Sequence, residues 1–294
     1  MVRSSTLLAL GALTAAAVAC APASETVTQA SPAASGTSGA SAADACAKDK
    51  LALKTPGKLT IGTDKPAYEP WFKDDDPANG KGFESAVAYA VAGRLGFAPA
   101  DVTWATVKFD SAFAPGAKQF DFDLNQVSVT PDRAKVVDFS KGYYTVKQAV
   151  VALDGSKVAS ATDLATLKDA KIGVQVGTTS LQAVKDVIKP TAEPNVYNEQ
   201  IDAINALKNK QVDAIVVDLP TAFYVTAAQV ENSKIVGQFG TASGEPEVFG
   251  AVFEKGSPLV GCVNKAIDEL TASGELAKIE TEWLGSAAGA PELK

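Results

Sequence analysis

The chain is predicted to fold as an α/β protein, on three observations. Strand-like and helix-like segments alternate from Lys58 onward. Within 179–188, Leu181, Val184 and Ile188 recur at spacings of three and four, which gives a helix one buried stripe. The composition, 46% hydrophobic and 21% charged, is that of an ordinary globular protein. Strands are expected at 59–62, 102–106, 122–126, 171–175, 213–217, 234–236 and 249–253. Helices are expected at 83–95, 179–188, 201–208, 221–229 and 259–270. Two junctions stand out along this order. Strand 171–175 leads into Gly177-Thr178-Thr179-Ser180, which opens a helix, and strand 213–217 ends at Asp218, just before Leu219-Pro220 and the next helix. In alternating folds of this kind, ligands bind at the carboxyl ends of strands, where loops and helix starts gather. Without its two ends the chain keeps roughly 230 residues, enough for two modest lobes.

Composition also excludes function classes. The net charge is −7 and no basic stripe is present, so nucleic acid is not an expected partner. The chain has no histidine, which removes Ser-His-Asp and Cys-His catalysis and imidazole metal sites. Its three cysteines, Cys20, Cys46 and Cys262, are too few and too scattered for a zinc or iron–sulfur centre. No cofactor is called for.

The amino terminus reads as an export signal. Arg3 supplies a positive charge, and Leu7 to Val18 is an apolar run of h-region length, too short to span a membrane as a helix. From Cys20 to about Ala45 nearly every residue is Ala, Ser, Thr, Gly or Pro, a composition that buries no core and serves as a tether.

The segment Ser128 to Tyr144, SVTPDRAKVVDFSKGYY, carries the densest chemistry. Thr130 suits a helix cap and Pro131 the first helical position. Arg133 then falls in the first turn, where the helix dipole disfavours a cation. It is one of three arginines in a chain that otherwise uses 24 lysines. A fork-shaped donor at that place suits a bidentate carboxylate. The alternative is a surface arginine paired with Asp132 or Asp138.

This segment resembles the signature of the polar amino-acid type of extracellular solute-binding proteins, the family 3 receptors of ABC importers. The family pattern is a small residue, a Ser/Thr two positions on, T-x-x-R, a spacer and D-F-S-x-x-Y. Ser128, Thr130, Arg133, Asp138, Phe139, Ser140 and Tyr144 fill it. The resemblance runs from about Lys58 to Leu284 and includes KLTIGTD, GKGFESAVAYAVAGRLG, KIGVQVGTTS, QVDAIVVD and ELAKIETEWLG in the family's order.

The resemblance implies a two-lobed, periplasmic-binding-protein-like fold of type II, with the hinge crossed twice near 148–153 and 239–245. Lobe 1 would hold 58–149 and 244–285, lobe 2 would hold 150–243, and 286–294 would be a tail. It further implies that Arg133 and Ser128 hold a ligand α-carboxylate from the first lobe, and Thr178 and Thr179 from the second. Asp218 would bind the α-ammonium. Plain capping is the alternative for the Gly177–Ser180 turn, and an N-cap role for Asp218. Tyr68 stands where the family places a stacking aromatic, and Phe109 is a candidate second one. Asp64 stands where receptors for basic amino acids carry an acid. Gln126, where small residues are usual, adds amide capacity or bulk. Trp71 is read as packing or contact.

Ala17-Val18-Ala19-Cys20 resembles a bacterial lipobox, which implies lipidation of Cys20 and a body tethered to the outer face of the cytoplasmic membrane. The other reading is ordinary secretion with cleavage at an Ala-x-Ala site. In an oxidising compartment the remaining Cys46 and Cys262 are expected to pair, because the family fold brings the first strand and the last helices into one lobe. The implied function is capture of a polar L-amino acid, as a monomer, for a membrane permease and its ATPase, without catalysis. Two alternatives come with the family: a cyclohexadienyl or arogenate dehydratase on the same fold, and an amino-acid sensor.

Overall fold

The computed structural model of the chain describes residues 45–285 and 289–294. The expected signal, Cys20 and nearly all of the tether lie outside the described residues. The fold is α/β, with two five-stranded sheets that make two lobes.

The strands in chain order are β1 (Leu59–Thr63), β2 (Val102–Thr106), β3 (Phe122–Asp123), β4 (Val137–Val146), β5 (Gln148–Leu153), β6 (Ile172–Gln175), β7 (Asn195–Tyr197), β8 (Ala214–Asp218), β9 (Ser233–Phe239) and β10 (Glu247–Glu254). The first sheet has the order β2-β1-β3-β10-β4 and the second β7-β6-β8-β5-β9. In each, parallel strands meet an antiparallel pair: β10 runs against β3 and β4, and β5 runs against β8 and β9. The helices are α1 (Phe83–Arg94), α2 (Phe109–Ala112), α3 (Pro131–Ala134), α4 (Thr179–Ala183), α5 (Gln200–Lys208), α6 (Leu219–Tyr224), α7 (Val260–Ala272) and α8 (Glu275–Leu284). Helices α4 and α6 each run on into a π turn, at Val184–Ile188 and Val225–Gln229.

Helix α1 buries Phe83, Val87 and Val91 on one face. Gly82 lets it start there. With φ at 93°, a Cβ on Gly82 would lie 2.5 Å from the Trp71 carbonyl oxygen. Cys46, ahead of β1, is disulfide-bonded to Cys262 on α7.

The structure adds strands β4 and β7 and helix α8 to the expected elements, and it differs from expectation elsewhere as follows. Strand 122–126 is cut to β3, because Gln126 turns into the left-handed region (φ 51°) and leaves the sheet. The first crossing is the single residue Lys147. Residues 148–153, expected as the crossing, form β5, whose first five residues are fully buried between β8 and β9. The second crossing is 240–246. Within 286–294, expected as a tail, Leu293 is buried in the aliphatic core of the second lobe.

Candidate functional site

The site lies between the lobes and begins with the turn after β3. Thr130 caps α3 by accepting from the Arg133 amide (3.3 Å), as the Thr130-Pro131 pair requires. This places the Arg133 side chain inward, 8% exposed. Its fork donates from Nη1 to Ser128 O (2.8 Å) in its own lobe and from Nη2 to Gly177 O (2.8 Å) in the other. Its guanidinium carbon lies 4.3 Å from the Phe113 ring centroid and 5.6 Å from that of Phe109, so two aromatic faces cover it. The surface-pair alternative fails, because Asp132 pairs with Lys135 and Asp138 with Lys255. Among the described residues Arg133 has no salt bridge to a carboxylate. Burial lowers its pKa to about 10, and Glu247 and Asp218 act against that shift, so it stays charged at neutral pH.

Across the cleft, the helix start after β6 approaches the same point. Thr178 Oγ1 accepts from Leu181 N (3.1 Å) and donates to Gln175 O (2.8 Å), so its hydroxyl caps α4. Thr179 Oγ1 is 3.3 Å from Ser128 Oγ, and two hydroxyls from opposite lobes stand together beside Arg133. Ser128 Oγ also donates to Glu247 Oε1 (2.5 Å).

Asp218 ends β8. It sits at the N-cap position of α6 but makes no side-chain cap, so the capping alternative does not describe it. Gln148 Nε2 donates to Asp218 Oδ1 (2.9 Å) and to Glu247 Oε2 (3.1 Å), and Gln148 Oε1 accepts from Ser180 Oγ (2.6 Å). One fully buried amide at the first crossing thus bridges two carboxylates and orients the α4 start. Burial first, and Glu247 second, push the Asp218 carboxyl well above the usual carboxylate range.

Two small adjoining cavities of about 30 and 40 Å³ lie along this floor and share Phe109, Gln126, Gln175 and Gln200. The first is lined by Asp64 and Tyr68, the second by Thr178, Thr179 and Asp218. Asp64 accepts from the amides of Lys65 (2.7 Å) and Phe109 (3.2 Å), which anchors the aromatic wall, and burial raises its pKa. The Tyr68 hydroxyl is buried without a hydrogen-bond partner, and burial pushes its pKa up to about 12. Gln126 is held in its left-handed turn by Glu84, which accepts from the Gln126 amide (2.8 Å), from its side-chain Nε2 and from the Tyr143 hydroxyl. Glu84 is fully buried, and that burial pushes its carboxyl up to about 7.

All nine expected ligand residues therefore line or border one cleft. Trp71 is packing: it is 1% exposed among Phe83, Tyr144 and Phe249, and its indole donates to Thr221 Oγ1 (2.9 Å) across the lobes. Sequence reasoning missed Phe113, Glu84, Gln148 and Glu247. Only Glu84 had a signal, as a lone acid on the buried face of a predicted helix. The other three act through the meeting of segments distant in the chain. Among the described residues no group of acids and cysteines could hold a metal. Chemically, the cleft offers a buried cation and two hydroxyls near a carboxyl from the second lobe, and an adjoining wall of Asp64, Tyr68 and Phe109.

Residues 59–286 match the model of bacterial extracellular solute-binding proteins, family 3. The chain is 30% identical to the arginine-binding extracellular protein ArtP of Bacillus subtilis over 232 residues, covering 77% of this chain and 86% of that one. It is 31% identical to the L-cystine-binding protein TcyA of Bacillus subtilis over 242 residues, covering 79% and 83%. Among solved structures, an ancestral arginine-binding protein bound to arginine superposes with a TM-score of 0.65 at 34% identity, covering 78% and 99%. The chain belongs to the bacterial extracellular solute-binding proteins, family 3.

Proposed function

We propose that this chain is the exported, lipid-anchored receptor of an ABC importer, and that it captures an L-amino acid with a polar, cationic side chain. The observation that carries the reading is Arg133, a buried guanidinium with no carboxylate bonded to it, beside Ser128 and Thr179 and within the fields of Glu247 and Asp218. A zwitterion supplies both missing charges: its carboxylate to Arg133, Ser128 and the Thr179 turn, its ammonium to Asp218. Asp64, the Tyr68 hydroxyl and Phe109 then line a side-chain wall suited to a cation. The arginine-binding relatives support the same class, and the cystine-binding relative supports the α-amino-acid end alone.

In this reading Cys20 carries the lipid, 21–45 is the tether, and the body delivers ligand as a monomer to a permease with its ATPase. No described helix is long and apolar enough to cross a membrane. The test is calorimetric titration of protein stripped of ligand by unfolding and refolding, with the twenty L-amino acids. Saturable binding of arginine, lysine or histidine at one site per chain is expected. Binding confined to acidic or aliphatic amino acids would overturn the cationic assignment, and no binding at all would overturn the amino-acid assignment. A second reading draws on the Asp218 carboxyl, whose raised pKa would suit a general acid in a dehydratase. Incubation with arogenate or prephenate, followed for loss of the cyclohexadienyl ring, is expected to show no turnover.

A further inference from the structure

The C-terminal residues 290–294 are bound to the second lobe, although the helix before them belongs to the first. Helix α8 packs Leu284, Ile279 and Trp283 against the aromatic core of the first lobe. Past it, Pro291 O accepts from Gln238 N (2.7 Å), Leu293 N donates to Gln238 O (2.9 Å) and Lys294 O accepts from Leu164 N (3.0 Å). Leu293 is 6% exposed among Val, Leu and Ile of the second lobe. Gly237 is shaped to this contact: a Cβ there would lie 2.6 Å from Leu293 Cγ and 2.8 Å from Pro291 O. Glu292 pairs with Lys147, the single residue of the first crossing. Its parallel bridge to Gln238 lies one residue from Phe239, where β9 ends and the second crossing starts. The docked segment therefore lies beside both crossings between the lobes.

We propose that 290–294 is a strap that ties the second lobe to α8 and limits how far the lobes part. Leu284 and Ala290 are six residues apart in the chain, a reach of at most about 20 Å. Two neighbouring crossings alone allow the lobes to swing and twist about them. A third link, docked through backbone hydrogen bonds and a buried leucine, resists both motions as long as it stays docked. A free state held nearer to closure loses less freedom when ligand binds, so the strap raises affinity without touching ligand.

The decisive variant is the full chain with about eight Gly/Ser residues inserted after Gly285, which adds roughly 16 Å of slack and leaves the docked residues intact. Three properties are read: the ligand-free radius of gyration by small-angle X-ray scattering, amide exchange at Gln238 and Leu293, and the Kd for L-arginine. The expected result is a larger ligand-free radius, unchanged amide protection, and arginine binding weaker by about tenfold. Leu293→Asp should enlarge the radius and also lose the protection. An unchanged radius in the insertion variant would overturn the strap, even if Leu293→Asp lowers the melting temperature, since that pattern belongs to plain packing. The binding arm rests on the amino-acid reading. If L-arginine binds neither protein, the cationic assignment fails, and the radius and exchange still decide the strap.

Discussion

The two lobes share one topology and are held together differently. The first packs around rings: Trp71, Phe72, Phe83, Phe122, Phe249 and Phe253 are all buried in one cluster, and the Cys46–Cys262 bond closes over it. The second is built of Val, Ala, Leu and Ile in two clusters on the faces of its sheet, with Phe239 its one fully buried ring, and no described disulfide. Aromatic pairs meet at fixed angles, such as the edge contact of Trp71 with Phe249 at 5.5 Å, whereas small aliphatic side chains repack with little loss. The lobes thus divide the labour. The first lobe is a stiff frame that carries Arg133 and the pocket walls. The second is a lighter lobe that carries Asp218 and the Thr179 turn, with the C-terminal segment as its added support.

The charged ends, one in each lobe, give the largest expected effect. Arg133→Ala and Asp218→Ala should each weaken amino-acid binding by on the order of 10² or more, since removal of one partner of a buried charge pair costs about 3–5 kcal/mol. Titration calorimetry reads this directly. Either variant binding within a factor of about three of the parent would remove that lobe from the ligand site.

Next in size is the disulfide. Changing Cys46 and Cys262 together to alanine should destabilise the first lobe by about 2–5 kcal/mol, because the bond closes a loop with a sequence separation of 216. Native-state amide exchange should speed up in β1 and α7 and stay as it was in β6 and β8. Equal acceleration in both lobes would show that they unfold as one unit and would erase the contrast.

Stability should also depend on pH. The Glu84 carboxyl rises from 4.5 unfolded to about 7 folded, so between those values the native state holds more proton than the unfolded state. The Glu84 contribution to stability therefore falls as pH rises from about 5 to 7, by about 3 kcal/mol, and flattens above. Asp123 adds to the same trend, since it is fully buried with both carboxylate oxygens unpartnered and its pKa is raised by burial. Glu84 and Asp123 belong to the first lobe, and Asp218, raised by burial to about 8, gives the second lobe the same trend, so amides of both lobes should lose protection as pH rises. Glu84→Gln should flatten the dependence in denaturant titrations run at pH 5 and pH 8; an undiminished slope would assign it elsewhere.

The smallest effect belongs to the second lobe. Lys189 closes the π turn after α4 in a left-handed conformation, φ 53°. Lys189→Gly should stabilise the protein by about 0.5–1 kcal/mol, because glycine adopts that conformation without strain. A melting temperature that falls would show that the lysine side chain contributes more than its backbone costs.

Much of this protein was legible before any fold was seen. Alternation of apolar runs announced the α/β class, and the helix grammar of Thr130-Pro131 and Thr178-Thr179 placed two helix starts within a residue or two. Local steric and hydrogen-bond preferences write both patterns into consecutive residues. The rarity of arginine made Arg133 visible, and Asp218 stood out as a charge at the end of an apolar run. The absence of histidine closed off whole reaction classes by composition alone.

What tertiary structure decided is everything that depends on segments far apart in the chain. Residues 137–146 do not declare themselves as β4, since Lys141 and Gly142 interrupt them, and the apolar run 148–153 reads equally as an extended crossing. They become strands because β10 and β9 offer them hydrogen bonds. Gln148 is an unremarkable glutamine until the two crossings bring Asp218 and Glu247 to its amide. Phe113 lies in a segment without a clear pattern and is placed over Arg133 by the fold. The docking of Leu293 beside Gly237 joins residues more than fifty positions apart. The sequence determined which residues could bear charge, turn or bury. Only the meeting of the two lobes decided which of them share a site, because proximity across a cleft is set by sheet pairing and packing and leaves no period in the chain.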